Sequence, residues 1–180
     1  KLVVPPLADC CMIHIFENDH LILKVLDQKE AIDSALVRDI FNIRCPIPND
    51  LQFGPGFVAT KNSAQLIEVV NEKILKNMGF EGDGVFDKIS KLNIHSWISV
   101  PMVAHGRNIG VMSLIRCKPM SYTRDDLNLA NLVADRAAIA VDNARLYKKA
   151  QDAIRIREDV LAIVSHDLKN PLGVIHGFNE

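Results

Sequence analysis

"SWISVPMVAHGRNIGVMSLIR", residues 96–116, decides the fold. Two apolar runs, 96–103 and 108–117, flank the connection Ala104-His105-Gly106-Arg107. Runs of this length, rich in Val and Ile and separated by a glycine-bearing link, read as an antiparallel strand pair. Gly106 supplies the permissive backbone that the turn requires. Pro101 has no N–H to give to a ladder, so its position must face an edge or a bulge.

Downstream the character changes. Between Met120 and Asn170 there is neither glycine nor proline. Thr123 is a helix N-cap with Asp126 in capping-box position, and Tyr122 and Leu127 are placed to close a hydrophobic staple. The helix is expected to run from about residue 124 almost to the end, about 80 Å at ~1.5 Å per residue. One stripe recurs every seven residues: Val133, Ala140, Tyr147, Ile154, Leu161, Leu168 and Ile175. A strict seven-residue period is the seam of a supercoil, which predicts a parallel coiled coil and a homodimer. The second row is weaker (Ala137, Ala144, Ala150, Val164, Leu172), with polar choices such as Gln151, Arg157 and Glu158 across 151–158. For 125–145 the competing expectation is a helix packed on its own domain.

Upstream the chain mixes α and β. Residues 10–16 and 21–26 form a second hairpin signal around Glu17-Asn18-Asp19-His20. Helical spacing covers 30–43, at Ala31, Ala35, Ile40 and Phe41. A loop rich in Pro46, Pro48, Gly54, Pro55 and Gly56 follows, and "FGPGF" in it reads as a turn. It lacks the lysine and Ser/Thr of a phosphate loop. Residues 66–70 are a strand candidate, and 71–78 and 85–92 are short helices around "GFEGDG".

With 180 residues, 48% of them hydrophobic, the chain suffices for one domain and an appendage. A net charge of −1 gives no nucleic-acid footprint. No apolar run approaches the ~20 residues of a membrane helix, so no membrane contact by this segment is expected. The chain opens at Lys1 without a methionine, which suggests a piece of a longer protein. Cys10, Cys11, Cys45 and Cys117 form no CxxC and have no paired Cys/His spacing. That predicts a reduced, cytoplasmic setting and no metal site.

Near the end stands "VSHDLKNPLGV", residues 164–174. If Leu161 and Leu168 are seam positions, His166 lies on the outer face. Imidazole is nucleophilic near neutral pH. An adjacent carboxylate, Asp167, can fix its tautomer and leave the other ring nitrogen free. Asn170 is four residues on, along the same face. Pro171 removes a helical hydrogen bond, which predicts a bend just past the histidine.

"DVLAIVSHDLKNPLGVI", residues 159–175, resembles the phospho-acceptor box of sensor histidine kinases (HisKA-type). The resemblance implies that His166 accepts the γ-phosphoryl of ATP. It puts Asp167 in the acidic position that assists transfer and Asn170 in the position linked to the phosphatase reaction, and Pro171 matches as well. It further implies a cognate response regulator, and a kinase domain of the parent chain that brings ATP and magnesium.

The remainder resembles a GAF domain in three segments, "LADCCMIHIFENDHLILKV", "SWISVPMVAHGRNIGVMSLIR" and "YTRDDLNLANLVADRAAIAVDNARLY". This resemblance implies an α+β fold, with an antiparallel sheet of about six strands, helices on one side and a small-molecule pocket on the other. The expected layout is a sensory domain at 1–148, a signalling-helix linker at 149–158 and the start of the dimerisation helix at 159–180.

The ligand is not legible. No cyclic-nucleotide signature occurs, and no cysteine has the neighbouring histidine of a bilin site. His95 and His105 are formal haem ligands. Phe86, His95 and Trp97 are pocket candidates, with a core role competing for Trp97 and Phe86. Cys45 and Cys117 lack the surroundings of methionine sulfoxide reduction. No cofactor is expected in this segment itself. The function expected is the sensory and phospho-acceptor part of a two-component kinase, inactive without its ATP-binding domain. The alternative is a non-catalytic ligand-binding or dimerisation module with the helix as a tether.

Overall fold

The computed structural model describes residues 3–4, 6–18, 20–30, 32–43, 51–80 and 84–176, with the backbone alone described at 34, 38, 41–43 and 162–176. Two hairpins build most of the sheet. The first joins β1 (Cys10–Glu17) and β2 (His20–Gln28), and the second joins β4 (Ser96–Ala104) and β5 (Arg107–Arg116). Between them lie α1 (Ser34–Ile43), α2 (Gly54–Lys61), β3 (Gln65–Ile67), α3 (Glu72–Asn77) and α4 (Val85–Ser90). A long helix, α5 (Arg124–His176), ends the chain's described part.

The strands form one antiparallel sheet in the order β2-β1-β5-β4-β3. The sheet has five strands among the described residues, not the expected six. The chain between β3 and β4 forms the two short helices expected there. Asn71 caps α3 by accepting the N–H of Ile74 at 2.9 Å, and Gly84 opens α4 at φ 76°.

The β4–β5 turn is tighter than the sequence implied. His105 and Gly106 both have positive φ (51° and 74°), while Ala104 and Arg107 already pair. Turns of this hand match the twist of the strands. β3 reaches only Trp97–Ser99 on β4, so among the described residues Pro101 has a strand neighbour on the β5 side alone, one residue from a register shift at Met102/Val103. Edge and bulge thus coincide at the proline, as its missing N–H demands.

"FGPGF" is a correction. It is not a turn but the entry to α2. Pro55 sits in the first turn, where an absent N–H costs nothing. The Gly54 N–H is held by Gln65 Oε1 at 2.7 Å, and left-handed Asn62 ends the helix.

Strand alternation sends Cys10, Met12, Trp97 and Ile115 to one face, where they meet Val37 and Ile40 of α1, Leu75 of α3 and Ile89 of α4. Ile98, Val100, Met102, Met112 and Leu114 alternate with these and are also fully buried. At the start of α5, Ala130, Ala134 and Ala138 form a stripe with no exposure, so this stretch packs within its own domain. The cap forms as expected: Thr123 N–H and Oγ1 both donate to Asp126 Oδ2, and the Asp126 N–H returns to Thr123 Oγ1.

The chain divides into two compact units, 1–139 and 140–180. In the second unit Leu146, Tyr147, Ile154, Ile156, Val160 and Leu161 are all exposed.

Candidate functional site

The sheet face beneath α1, α3 and α4 carries an unusual amount of polar chemistry for a core. Trp97 is 1% exposed and donates from Nε1 to Ser99 Oγ at 2.9 Å. Ser99 Oγ lies 2.9 Å from Ser113 Oγ, its cross-strand partner. Two hydroxyls carry two protons, and one suffices for the bond between them. The second has no acceptor among the described residues.

His14 lies on the same face. β1 and β5 pair without a shift from Cys10 to Ile15, so His14 follows Cys10 and Met12 and stands opposite Val111. Its side chain has no exposure, and neither ring nitrogen has a hydrogen-bond partner among the described residues. Burial pushes its pKa down to about 4, so the ring is neutral at pH 7. Nothing in the sequence singles out His14, since its neighbours alternate like any strand.

At the end of the sheet, Asp9 joins three segments. Its Oδ1 accepts from Lys29 Nζ at 2.5 Å and its Oδ2 from the Cys117 N–H at 2.8 Å. Burial would raise the Asp9 pKa, but these two hydrogen bonds and the charges of Lys29 and Lys118 outweigh it and hold the carboxyl below its ordinary value.

The pocket candidates part company here. Trp97 is a core residue, its ring 6.4 Å from that of Phe80. Phe86 is half-buried against the same cluster, with Lys76 Nζ 5.5 Å from its ring centre. His95 is half-buried, and its Nε2 is 3.4 Å from Ser121 Oγ. Its backbone bridges β5 and the segment after β3, through Arg116 O and the Val70 N–H. His105 is exposed at the hairpin tip. Burial pushes the thiols of Cys11 and Cys117 up to about 11, and that of Cys10 further, so all three stay protonated at neutral pH. Cys45 lies outside the described residues.

His166, Asp167, Asn170 and Pro171 all fall on the backbone of α5, and their side chains lie outside the described residues. No group of His, Cys, Asp or Glu that could hold a metal occurs among the described residues. No described helix is long and apolar enough to cross a membrane.

A family model described as "GAF domain" matches residues 7–141. Among solved structures, a GAF domain region from Geobacter sulfurreducens PCA superposes with a TM-score of 0.58 at 18% identity, covering 78% of this chain and 85% of that one. The GAF domain of a two-component sensor histidine kinase from Bacillus halodurans gives 0.56 at 17% identity, covering 78% and 86%. Among curated proteins, the formate hydrogenlyase transcriptional activator FhlA of Escherichia coli K12 is 37% identical over 59 residues. That match spans 33% of this chain and 8% of FhlA.

Proposed function

The chain belongs to the GAF domain family, and on that premise we propose that it is the sensory and phospho-acceptor part of a two-component sensor histidine kinase. The observation that carries this reading is helical continuity. α5 begins at a capped N-terminus in the GAF domain and continues as helix through residues 166–171, the segment that resembles an acceptor box.

In this reading an imidazole nitrogen of His166 attacks the γ-phosphorus of ATP. An N–P bond forms, and the bond to the β-γ bridging oxygen breaks with release of ADP. Asp167 accepts the hydrogen bond from the other ring nitrogen and supports the positive charge that develops there. The phosphoryl group then passes to an aspartate of a response regulator. Asn170 positions the water of the reverse, hydrolytic reaction, and Pro171 bends the helix to admit the kinase domain. ATP and magnesium arrive with that domain of the parent chain, and the setting is cytoplasmic. The exposed apolar side chains at 146, 147, 154, 160 and 161 support a homodimer through a parallel coiled coil.

A second reading keeps the GAF domain as a sensory module and makes the helix a tether, since the family also occurs in a transcriptional activator. Labelling separates the two. The parent protein with radiolabelled ATP should acquire an acid-labile, alkali-stable label that His166→Ala abolishes. Equal labelling of that variant would remove the acceptor assignment.

A further inference from the structure

A cleft of about 440 Å³ opens at the end of the sheet, between the start of α1, the turn after α4 and the strand end at Cys117. It is large enough for a small organic ligand. One wall is apolar: Ile32, Leu36 and Leu92 are each half-buried and pack on the main core cluster. Three lysines, Lys29, Lys91 and Lys118, also line it.

Two carboxylates also line the cleft, and both are engaged. Asp9 holds Lys29 with one oxygen and the Cys117 N–H with the other. Asp33 caps α1, accepting the N–H groups of Ala35 and Leu36 at 2.9 and 3.1 Å. Lys91 and Lys118 make no ion pair with any described residue. With three lysines against two carboxylates the lining carries a net charge of +1, part of it from Lys118, whose charge acts on Asp9. A cleft lined by an apolar wall and by two lysines that form no ion pair among the described residues is complementary to an anion with a hydrophobic body.

The geometry points to a ligand site: the cleft binds an amphiphilic organic monoanion, its carboxylate between Lys91 and Lys118 and its hydrocarbon part on Ile32, Leu36 and Leu92. Asp9 is the floor that fixes Lys29 and the strand end. The same strand end leads into α5. Arg116 lies over the Tyr122 ring at 4.1 Å and reaches Asp126, in the first turn of the helix, at 3.3 Å. A ligand that draws Lys118 thus acts six residues from the start of the output helix.

The site extends the sensory reading, yet its test involves no phosphorylation, so either can fail alone. Sodium octanoate, octan-1-ol and inorganic phosphate are titrated separately into the 180-residue chain at low ionic strength, with methyl and amide resonances followed by NMR. Octanoate should shift Ile32, Leu36 and Leu92 saturably, with octanol and phosphate each at least about tenfold weaker. The double variant Lys91→Gln/Lys118→Gln, at two exposed positions, should keep the amide spectrum of the folded domain and lose octanoate affinity by about tenfold or more. Equal affinity for octanol would show that charge plays no part, and equal affinity for phosphate would reduce the site to adventitious anion binding. Either result overturns the proposal. So does unchanged binding by the double variant, shifts confined to other residues, or no shift at about 10 mM octanoate.

Discussion

Gly110 of β5 lies so close to β1 that a Cβ built on it would stand 2.1 Å from the His14 carbonyl oxygen. That oxygen is backbone and cannot swing aside. Gly110 is paired with Ile15, and the approach lets β1 and β5 close around His14. Gly110→Ala must therefore part the two central strands. A loss on the order of 3 kcal/mol or more is expected, at the severe end for one methyl group. Urea denaturation measures it, and a loss below about 1 kcal/mol would contradict the close approach.

His14 makes stability depend on pH. Its folded pKa, about 4, lies below the ordinary 6.5. Between those values the unfolded chain binds the proton and the folded chain does not. Stability is thus complete above pH 6.5 and declines as pH falls toward 4, by about 3 kcal/mol in all. His14→Leu removes both the titration and two buried unpartnered nitrogens, so at pH 7 it should gain about 1–2 kcal/mol. Other groups titrate in the same range, so the informative quantity is the difference between the two proteins from pH 7.5 to 4.5. Parallel curves would show that His14 is not buried as described.

Asp9→Asn tests the strand-end anchor. The amide keeps the shape but leaves Lys29, whose side chain is 29% exposed, without its counter-charge. A cost of about 2 kcal/mol is expected at pH 7. Because the Asp9 carboxyl is held below its ordinary value of 3.8, its contribution is present above that pH and lost as pH falls further. The wild-type and variant stabilities should therefore converge at strongly acidic pH, as guanidinium titrations at pH 7 and pH 2.5 would report.

These sites differ in how far they could be read in advance. Both hairpins were legible because alternation and turn residues lie within a few positions of each other. The α5 cap was legible for the same reason, with Thr123 and Asp126 three residues apart. α2 was not: Gly54 and Pro55 look like a turn until Gln65, eleven residues away, is seen to hold the Gly54 N–H. Asp9 was beyond reach altogether, since its partners are 20 and 108 residues distant. His14 shows the limit of patterning. Alternation can give a strand residue its face, but it cannot say that no polar group among the described residues reaches the His14 ring nitrogens.

The second unit yields the remaining prediction. Five of its exposed apolar residues fall in two rows one position apart, Leu146 and Val160 in one and Tyr147, Ile154 and Leu161 in the other, with Ile156 outside both. The seven-residue stripe through Tyr147, Ile154 and Leu161 has only a weak companion row across 151–158. Leu146, Ala153 and Val160 also repeat at seven residues, beside the Tyr147 row, and so widen the apolar stripe through the polar interval at 151–158. In one chain these groups face water, and pairing with a second copy would bury them at roughly 1.5–3 kcal/mol per large side chain. Leu146→Glu/Val160→Glu should then shift the sedimentation mass from dimer to monomer. Tyr147→Glu/Leu161→Glu should do so less completely if Leu146 and Val160 form the inner row. Both double variants lie outside residues 1–139, so the melting of the GAF domain should stay unchanged and report that the domain is intact. A dimer that survives both pairs of charges would mean that the chains associate through some other surface.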